Sequence, residues 1–322
     1  MNNSPTTKPK VLNVLLPALA AACLIGPPGA LADNLFVSSM GSSSIYRFET
    51  SIGAGSQNIF ASSLANPFGL AFDGGGNLFA AGYGNGSIYK FNNTSGTLSS
   101  TPTTFASSLS SPTALAFDGS GNLFETDYGS GNIYQFTAGG SRSTFASGPT
   151  YSFGLAFESS GNLFVGDASI QRVVKFASGV PSTFASGLVS PEGLTFDSSG
   201  NLFVASYGGS IYEFLNTSGT LSSTPTTLAS GLGHLNSVAF DSSGNLFATE
   251  TGSSLNSSSI YEFINTGTLS PTPITFASGL DGVLSLALEP AVVPEPSTVA
   301  LSAMGGLAGL LQFRRRRLNK MR

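Results

Sequence analysis

Pro191-Glu192-Gly193-Leu194-Thr195-Phe196-Asp197-Ser198-Ser199-Gly200-Asn201-Leu202-Phe203-Val204 is the stretch that decides the fold. Two short runs of Leu, Phe, Thr and Val flank an Asp-x-x-Gly-Asn connector, whose residues tolerate left-handed backbone, so the stretch reads as two strands joined by a tight hairpin. Its Asn-Leu-Phe recurs with the asparagine at 34, 77, 122, 162, 201 and 245, at spacings of 43, 45, 40, 39 and 44 residues. A period near 40 marks a repeat architecture in which one supersecondary unit is copied along the chain.

Working outward from the hairpin, each repeat holds four strands, here lettered A to D. Strand A is expected at 69–73, 114–118, 154–158, 193–197 and 237–241, where Gly or Ala alternates with Leu and Phe, as suits a strand crowded on one face. Strand B carries the Asn-Leu-Phe. Strand C is expected at 44–48, 87–91, 132–136, 172–176, 210–214 and 259–263, and strand D ends in a Phe-Ala-Ser or Leu-Ala-Ser that begins at Phe60, Phe105, Phe145, Phe184, Leu228 and Phe276. The first repeat has no A strand before it, and a spare one, Ser285-Leu286-Ala287-Leu288-Glu289, follows the last D strand. The chain therefore reads as an all-β, six-bladed β-propeller over 33–290, closed by pairing of its C-terminal strand with the N-terminal blade, which leaves no open edge. An identical twelve-residue insert stands at 93–104 and 216–227, between strands C and D of two repeats.

Composition agrees, with 9% charged residues in 322, 40 Gly and 25 Phe. The net charge of −4 hides an asymmetry: residues 33–293 hold 16 acidic against 5 basic side chains, a net −11. That field argues against nucleic acid or anionic lipid as a partner and favours cations or neutral polymers. The one cysteine, Cys23, lies in the N-terminal apolar stretch, so the globular part has neither disulfide nor thiol nucleophile.

The two ends read as delivery signals. Residues 1–32 combine Lys8 and Lys10, an apolar run from Val11 to Ile25, and Ala30-Leu31-Ala32, the small-x-small pattern of a signal peptide cut before Asp33. An uncleaved anchor helix and a lipoprotein acylated at Cys23 are the alternatives. At the other end, over 291–322, Val293-Pro294-Glu295-Pro296 precedes an apolar run from Val299 to Phe313 and the cluster Arg314, Arg315, Arg316, Arg317. The run reads as a short transmembrane helix with its arginines held on the cytoplasmic side. These three parts resemble the PEP-CTERM sorting signal, also catalogued as an ice-binding-protein C-terminal domain. The resemblance implies export by a Gram-negative bacterium and transient anchoring in the inner membrane. Cleavage near Pro294-Glu295-Pro296 by an exosortase-type protease would then release the protein to the cell surface, often beside exopolysaccharide. It does not imply ice binding, and a plain unprocessed tail anchor is the alternative.

The repeat resembles NHL propellers and, more loosely, gluconolactonase-type propellers, through runs such as 191–204. Propeller ligands sit at the mouth of the central channel. The starts of strand A and the ends of strand B share that face, which gathers Asp127, Asp167, Glu192, His234, Asn236, Glu250 and Asp281 as candidate binding residues. Carboxylates there suit Ca²⁺ or Mg²⁺, and the gluconolactonase resemblance implies a metal-binding role for Glu192. The equivalent slot around the ring nevertheless reads Phe68, Thr113, Phe153, Glu192, Asn236 and Leu284, so the expectation is no resident metal or cofactor. Asp127 and Asp167 read equally as turn caps, and Asp73, Asp118, Glu158, Asp197 and Asp241 as structural hairpin acids on the opposite face. With His234 the sole histidine, a zinc-dependent lyase is excluded. The expected function is a non-catalytic surface or matrix module that binds polysaccharide or envelope proteins. The alternative is a metal-dependent extracellular lactonase or lyase.

Overall fold

In the hairpin that joins strands A and B, Asp197 accepts hydrogen bonds through one oxygen from the main-chain N–H of Ser199 and Asn201, at 2.9 and 2.8 Å, and through the other from the Asn201 amide at 2.7 Å. Gly200 completes the turn at φ 80°, a left-handed conformation that costs a side chain strain. The same three bonds recur at Asp73, Asp118 and Asp241. In the fourth repeat the longer Glu158 reaches the Asn162 amide and Ser160 hydroxyl, both at 2.7 Å, and sits 3.5 Å from Lys175. These acids close turns. Asp197→Ala is expected to lower the unfolding free energy by about 1–3 kcal/mol, measured as a shift of the urea midpoint at unchanged slope.

The computed structural model describes residues 34–50, 57–148, 151–254 and 256–290. The expected signal peptide, with Ala30 and Ala32, and the tail, with Pro294, Glu295, Pro296 and Arg314 to Arg317, lie outside them. Within them there is no helix, and six four-stranded antiparallel sheets follow one another in the order A-B-C-D. Blade five, for example, is Pro191–Phe196, Leu202–Ser206, Ser210–Phe214 and Thr226–Ala229. Blade one is assembled from both ends: Val283–Leu288 pairs antiparallel with Asn34–Ser39, matching Leu35 to Leu288 and Phe36 to Ala287. The Glu289 N–H donates to the Asn34 carbonyl at 2.9 Å and the Asn34 amide to the Glu289 carboxylate at 2.5 Å. These are the turn's acid–asparagine contacts reproduced across the gap between the chain's two ends, so the ring closes with the chemistry of a continuous hairpin.

The abundant phenylalanines hold blade to blade. In blades one to four the Phe of Asn-Leu-Phe packs edge-on against a strand D ring of its own blade and a strand A ring of the next. Phe36 contacts Phe60 and Phe72 at 5.0 and 5.5 Å, and Phe124 contacts Phe145 and Phe157 at 5.1 and 4.8 Å. In blade five Leu228 replaces the strand D ring, leaving the Phe203–Phe240 pair at 5.0 Å, and in blade six Phe247 meets the strand D ring of Phe276 at 5.2 Å while Leu288 stands where the next strand A ring would be. Near the axis, strand A must be small: a Cβ on Gly154 would lie 1.7 Å from the Glu192 carbonyl oxygen and one on Gly69 2.2 Å from that of Thr113. The innermost strands enclose a channel of about 400 Å³ that runs from Phe153 to Pro290.

One seam departs from this apolar rule. The strand B residue that follows Asn-Leu-Phe is Val37, Ala80, Val165, Val204 and Ala248 in five blades, but Glu125 in blade three. Glu125 is fully buried, and its register partners Leu115 and Tyr134 belong to the apolar cluster between blades two and three. Neither carboxyl oxygen has a hydrogen-bond partner. Burial first, then the neighbouring Asp127, pushes its pKa up to about 9 against an opposing pull from Arg142.

Strand A starts earlier than the sequence alone indicates, at Pro67, Pro112, Pro191 and His234. A register shift follows each start, as between Pro191 and Leu194 or Leu235 and Ser237. Such a bulge adds a residue that breaks the alternation and re-aims a side chain, which places Glu192 and Asn236 inside strands rather than in the loops before them. Strands B end, and strands A begin, on one face of the ring. The hairpin acids, the inserts and the chain ends Asn34 and Pro290 share the other. Each insert forms a small hairpin, Asn93–Thr94 with Thr97–Leu98 and Asn216–Thr217 with Thr220–Leu221. Its first asparagine docks by a main-chain N–H on the hairpin asparagine, Asn77 at 2.8 Å and Asn201 at 2.7 Å.

Candidate functional site at the channel mouth

The mouth is built from a repeated backbone contact. The residue after strand B donates its N–H to a carbonyl of the loop entering strand A: Tyr83 to Asn66, Tyr128 to Ser111, Ala168 to Tyr151, Tyr207 to Ser190 and Met40 to Gly282, all at 3.0–3.1 Å. Three of these five are tyrosines, each followed by Gly, so the scaffold places Tyr83, Tyr128 and Tyr207 at fixed points around the rim.

Beside them, the strand A slot makes the mouth two-sided. On blades two to four, Phe68, Tyr83, Tyr128 and Phe153 form a closed circuit of ring contacts. The centroid distances are 6.0 Å (Phe68–Tyr83), 6.3 Å (Tyr83–Tyr128), 5.9 Å (Tyr128–Phe153) and 5.7 Å (Phe153–Phe68). Tyr151 stands edge-on to Tyr128 at 5.0 Å and is 46% exposed. Beneath this platform the Thr113 hydroxyl lies 2.8 Å from the carbonyls of both Thr126 and Ser152. On blades five and six, the Asn236 amide donates to Glu192 at 2.8 Å, and the Thr251 hydroxyl lies 2.5 Å from the Asn236 side-chain oxygen Oδ1 and 2.6 Å from the main-chain carbonyl of Val283. Burial raises the Glu192 pKa to about 7 against the lowering effect of the hydrogen bonds from Asn236 and Ser190. At the rim of this half, His234 is exposed and stacks on Tyr207 with centroids 4.0 Å apart.

The remaining mouth acids serve the loops. Asp127 accepts from the N–H of Ser110 at 2.6 Å and of Ser130 at 2.9 Å. Asp167 accepts from the Ser169 hydroxyl at 2.5 Å and faces Arg172 at 3.7 Å. Glu250 accepts from the Tyr261 hydroxyl at 2.6 Å, and its other oxygen occupies the space that a Cβ on Gly233 would need. In blades one and five a serine holds the same strand-B slot: Ser39 donates to the Asp281 main-chain carbonyl and Ser206 to that of Val189. In blades one, three and five the slot ties down the loop into the blade's own strand A, through Ser39, Asp127 and Ser206. The structure thus brings Glu192 and Asn236 together and keeps Asp127, Asp167 and Glu250 in separate loop contacts.

Among the described residues, no group of three His, Cys, Asp or Glu side chains is arranged to hold a metal ion. Two bonded side chains, Glu192 and Asn236, fall short of the six to eight oxygens calcium takes. The aromatic platform was missed in the sequence although a signal existed: Tyr-Gly follows strand B in three repeats, at 83–84, 128–129 and 207–208.

Residues 292–317 match the PEP-CTERM protein-sorting motif. The sequence finds no match among curated proteins. Among solved structures, a chain of the nidogen/laminin complex is similar with a TM-score of 0.67 at 20% identity, over 80% of this chain and 99% of that one. Virginiamycin B lyase from Staphylococcus aureus follows at 0.56 and 14%, over 81% and 94%, and a gluconolactonase from Xanthomonas campestris at 0.54 and 20%, over 67% and 79%. At these identities the likeness shows the fold. The chain carries a PEP-CTERM sorting motif after a six-bladed β-propeller, and the motif implies processing by an exosortase-type system, export and envelope sorting in bacteria.

Proposed function

We propose that this propeller is a non-catalytic binding or scaffold module displayed at the surface or in the extracellular matrix of a Gram-negative bacterium, with the channel mouth as its binding face. One observation carries the reading. The mouth joins a platform of packed aromatic rings to a Glu192–Asn236–Thr251 chain whose first two members are buried, a combination of apolar surface and few placed polar groups typical of ligand sites. The described chain ends at Pro290 on the opposite face, two residues before the sorting motif begins at 292. A tether there turns the mouth away from the membrane. Delivery would use signal peptidase before Asp33 and an exosortase-type protease near Pro294-Glu295-Pro296.

The test is fractionation of the producing bacterium. The full chain is expected in envelope and matrix fractions, and a chain lacking 292–317 in the medium. A mouth variant, Tyr128→Ala with Tyr207→Ala, is expected to be exported normally but lost from the matrix. Matrix retention unchanged in that variant overturns the binding face. The second reading, a metal-dependent lactonase or lyase, draws on the raised Glu192 carboxyl and on neighbours named as gluconolactonase and lyase. Chelator-sensitive lactone hydrolysis that disappears in Glu192→Gln would replace the first reading with this one.

A further inference from the structure

We infer that the mouth holds a neutral pyranose chain, laid with the C–H face of a sugar ring on the Phe68–Tyr83–Tyr128–Phe153 platform and its hydroxyl edge toward the Tyr207–His234 pair. This rests on the mouth being a binding face and adds the ligand's chemistry.

The argument begins with what the rings exclude. Phe68 and Phe153 are nearly parallel, 21° apart at 5.7 Å, and Tyr128 and Phe153 are 28° apart at 5.9 Å. Rings already in contact leave no gap between them for an ammonium group, so they form a platform and not a cation cage. The net −11 of residues 33–293 repels a polyanion. The packed rings suit a group with a flat apolar face and the field disfavours an anion; a neutral pyranose, with an apolar face and a polar edge, meets both conditions.

The polar edge has partners on the other half. Tyr207 is 41% exposed and carries a phenolic hydroxyl, and His234, stacked on it, offers a ring nitrogen. Tyr151, 46% exposed beside Tyr128, extends the platform outward along the rim, so more than one sugar of a chain can be covered. Backbone bonds fix Tyr128 and Tyr207 at 3.0 Å from their loops, which keeps the surface preorganised.

The test uses the protein as secreted by its host and isothermal titration with cellohexaose and mannohexaose, with a galacturonic acid hexamer as the anionic control. Binding of at least one neutral hexasaccharide is expected with Kd near or below about 1 mM. Tyr151→Ala and Tyr207→Ala are each expected to weaken it about tenfold, with melting temperatures unchanged because both side chains are exposed. Wild-type affinity in both variants overturns the site. Absence of neutral-sugar binding, or preference for the anionic hexamer, overturns the ligand chemistry; if matrix retention still depends on Tyr128 and Tyr207, the display reading survives and the mouth takes a protein instead.

Discussion

Glu125→Val is expected to raise the unfolding free energy at pH 8 by several kcal/mol and to flatten the pH dependence of stability. The folded-state pKa of Glu125 is about 9 against an ordinary 4.5. The folded protein therefore retains a proton that the unfolded chain gives up from pH 4.5 upward. The stability associated with that proton is fully present below pH 4.5 and declines as pH rises toward 9, by up to about 1.4 kcal/mol per unit. Burial at Glu192 acts in the same direction over the shorter window from 4.5 to about 7. Valine removes the larger contribution, leaves no unpaired polar group and is the residue three other blades place in that slot, Val37, Val165 and Val204. Urea unfolding at pH 5 and pH 8 gives the comparison. A variant no more stable than wild type at pH 8 would show that the carboxyl finds compensation in the seam.

Ending the chain before Val283 is expected to abolish the folded propeller, whereas ending it at Pro290 leaves the fold intact. Removal of Val283–Leu288 strips the partner from Asn34–Ser39 and uncovers Leu35, Phe36 and Val37, which are 0, 1 and 0% exposed. It also deletes Val283 and Leu286 from the seam between blades six and one. At about 1.5–3 kcal/mol for each large apolar side chain, the loss matches the whole stability of a typical domain. Circular dichroism and limited proteolysis separate the outcomes: a protease-resistant core in the shorter chain would mean that blade one closes without its C-terminal strand. Because Glu289 completes the closure and the sorting motif begins at 292, cleavage of the tail leaves the closing strand and its clamp in place.

The architecture was legible because its causes are local and repeated. The Asp-x-x-Gly-Asn turn bonds within five residues, and the spare strand 285–289 announced the closure by count alone. The start of strand A was not legible, since the shift between Pro191 and Leu194 depends on pairing with strand B rather than on local propensity. The mouth acids looked alike in sequence, yet Asp127 turned inward to two N–H groups of its own loops while Glu192 met Asn236 from the next blade, 44 positions away. That meeting is set by ring geometry, as is the gathering of Phe68 with Phe153 across an intervening blade. Glu125 was visible only as an exception to the Val and Ala pattern of its slot.

The measurement closest to the central claim is retention of the secreted protein on the extracellular polysaccharide purified from its own producing cells, with Tyr128→Ala/Tyr207→Ala beside it. Saturable retention of the wild type, resistant to about 0.5 M salt where exposed ion pairs are screened and lost in the double variant, is the expected result. Equal retention of both proteins, or wild-type retention abolished by that salt, would contradict an aromatic mouth built to hold a neutral chain.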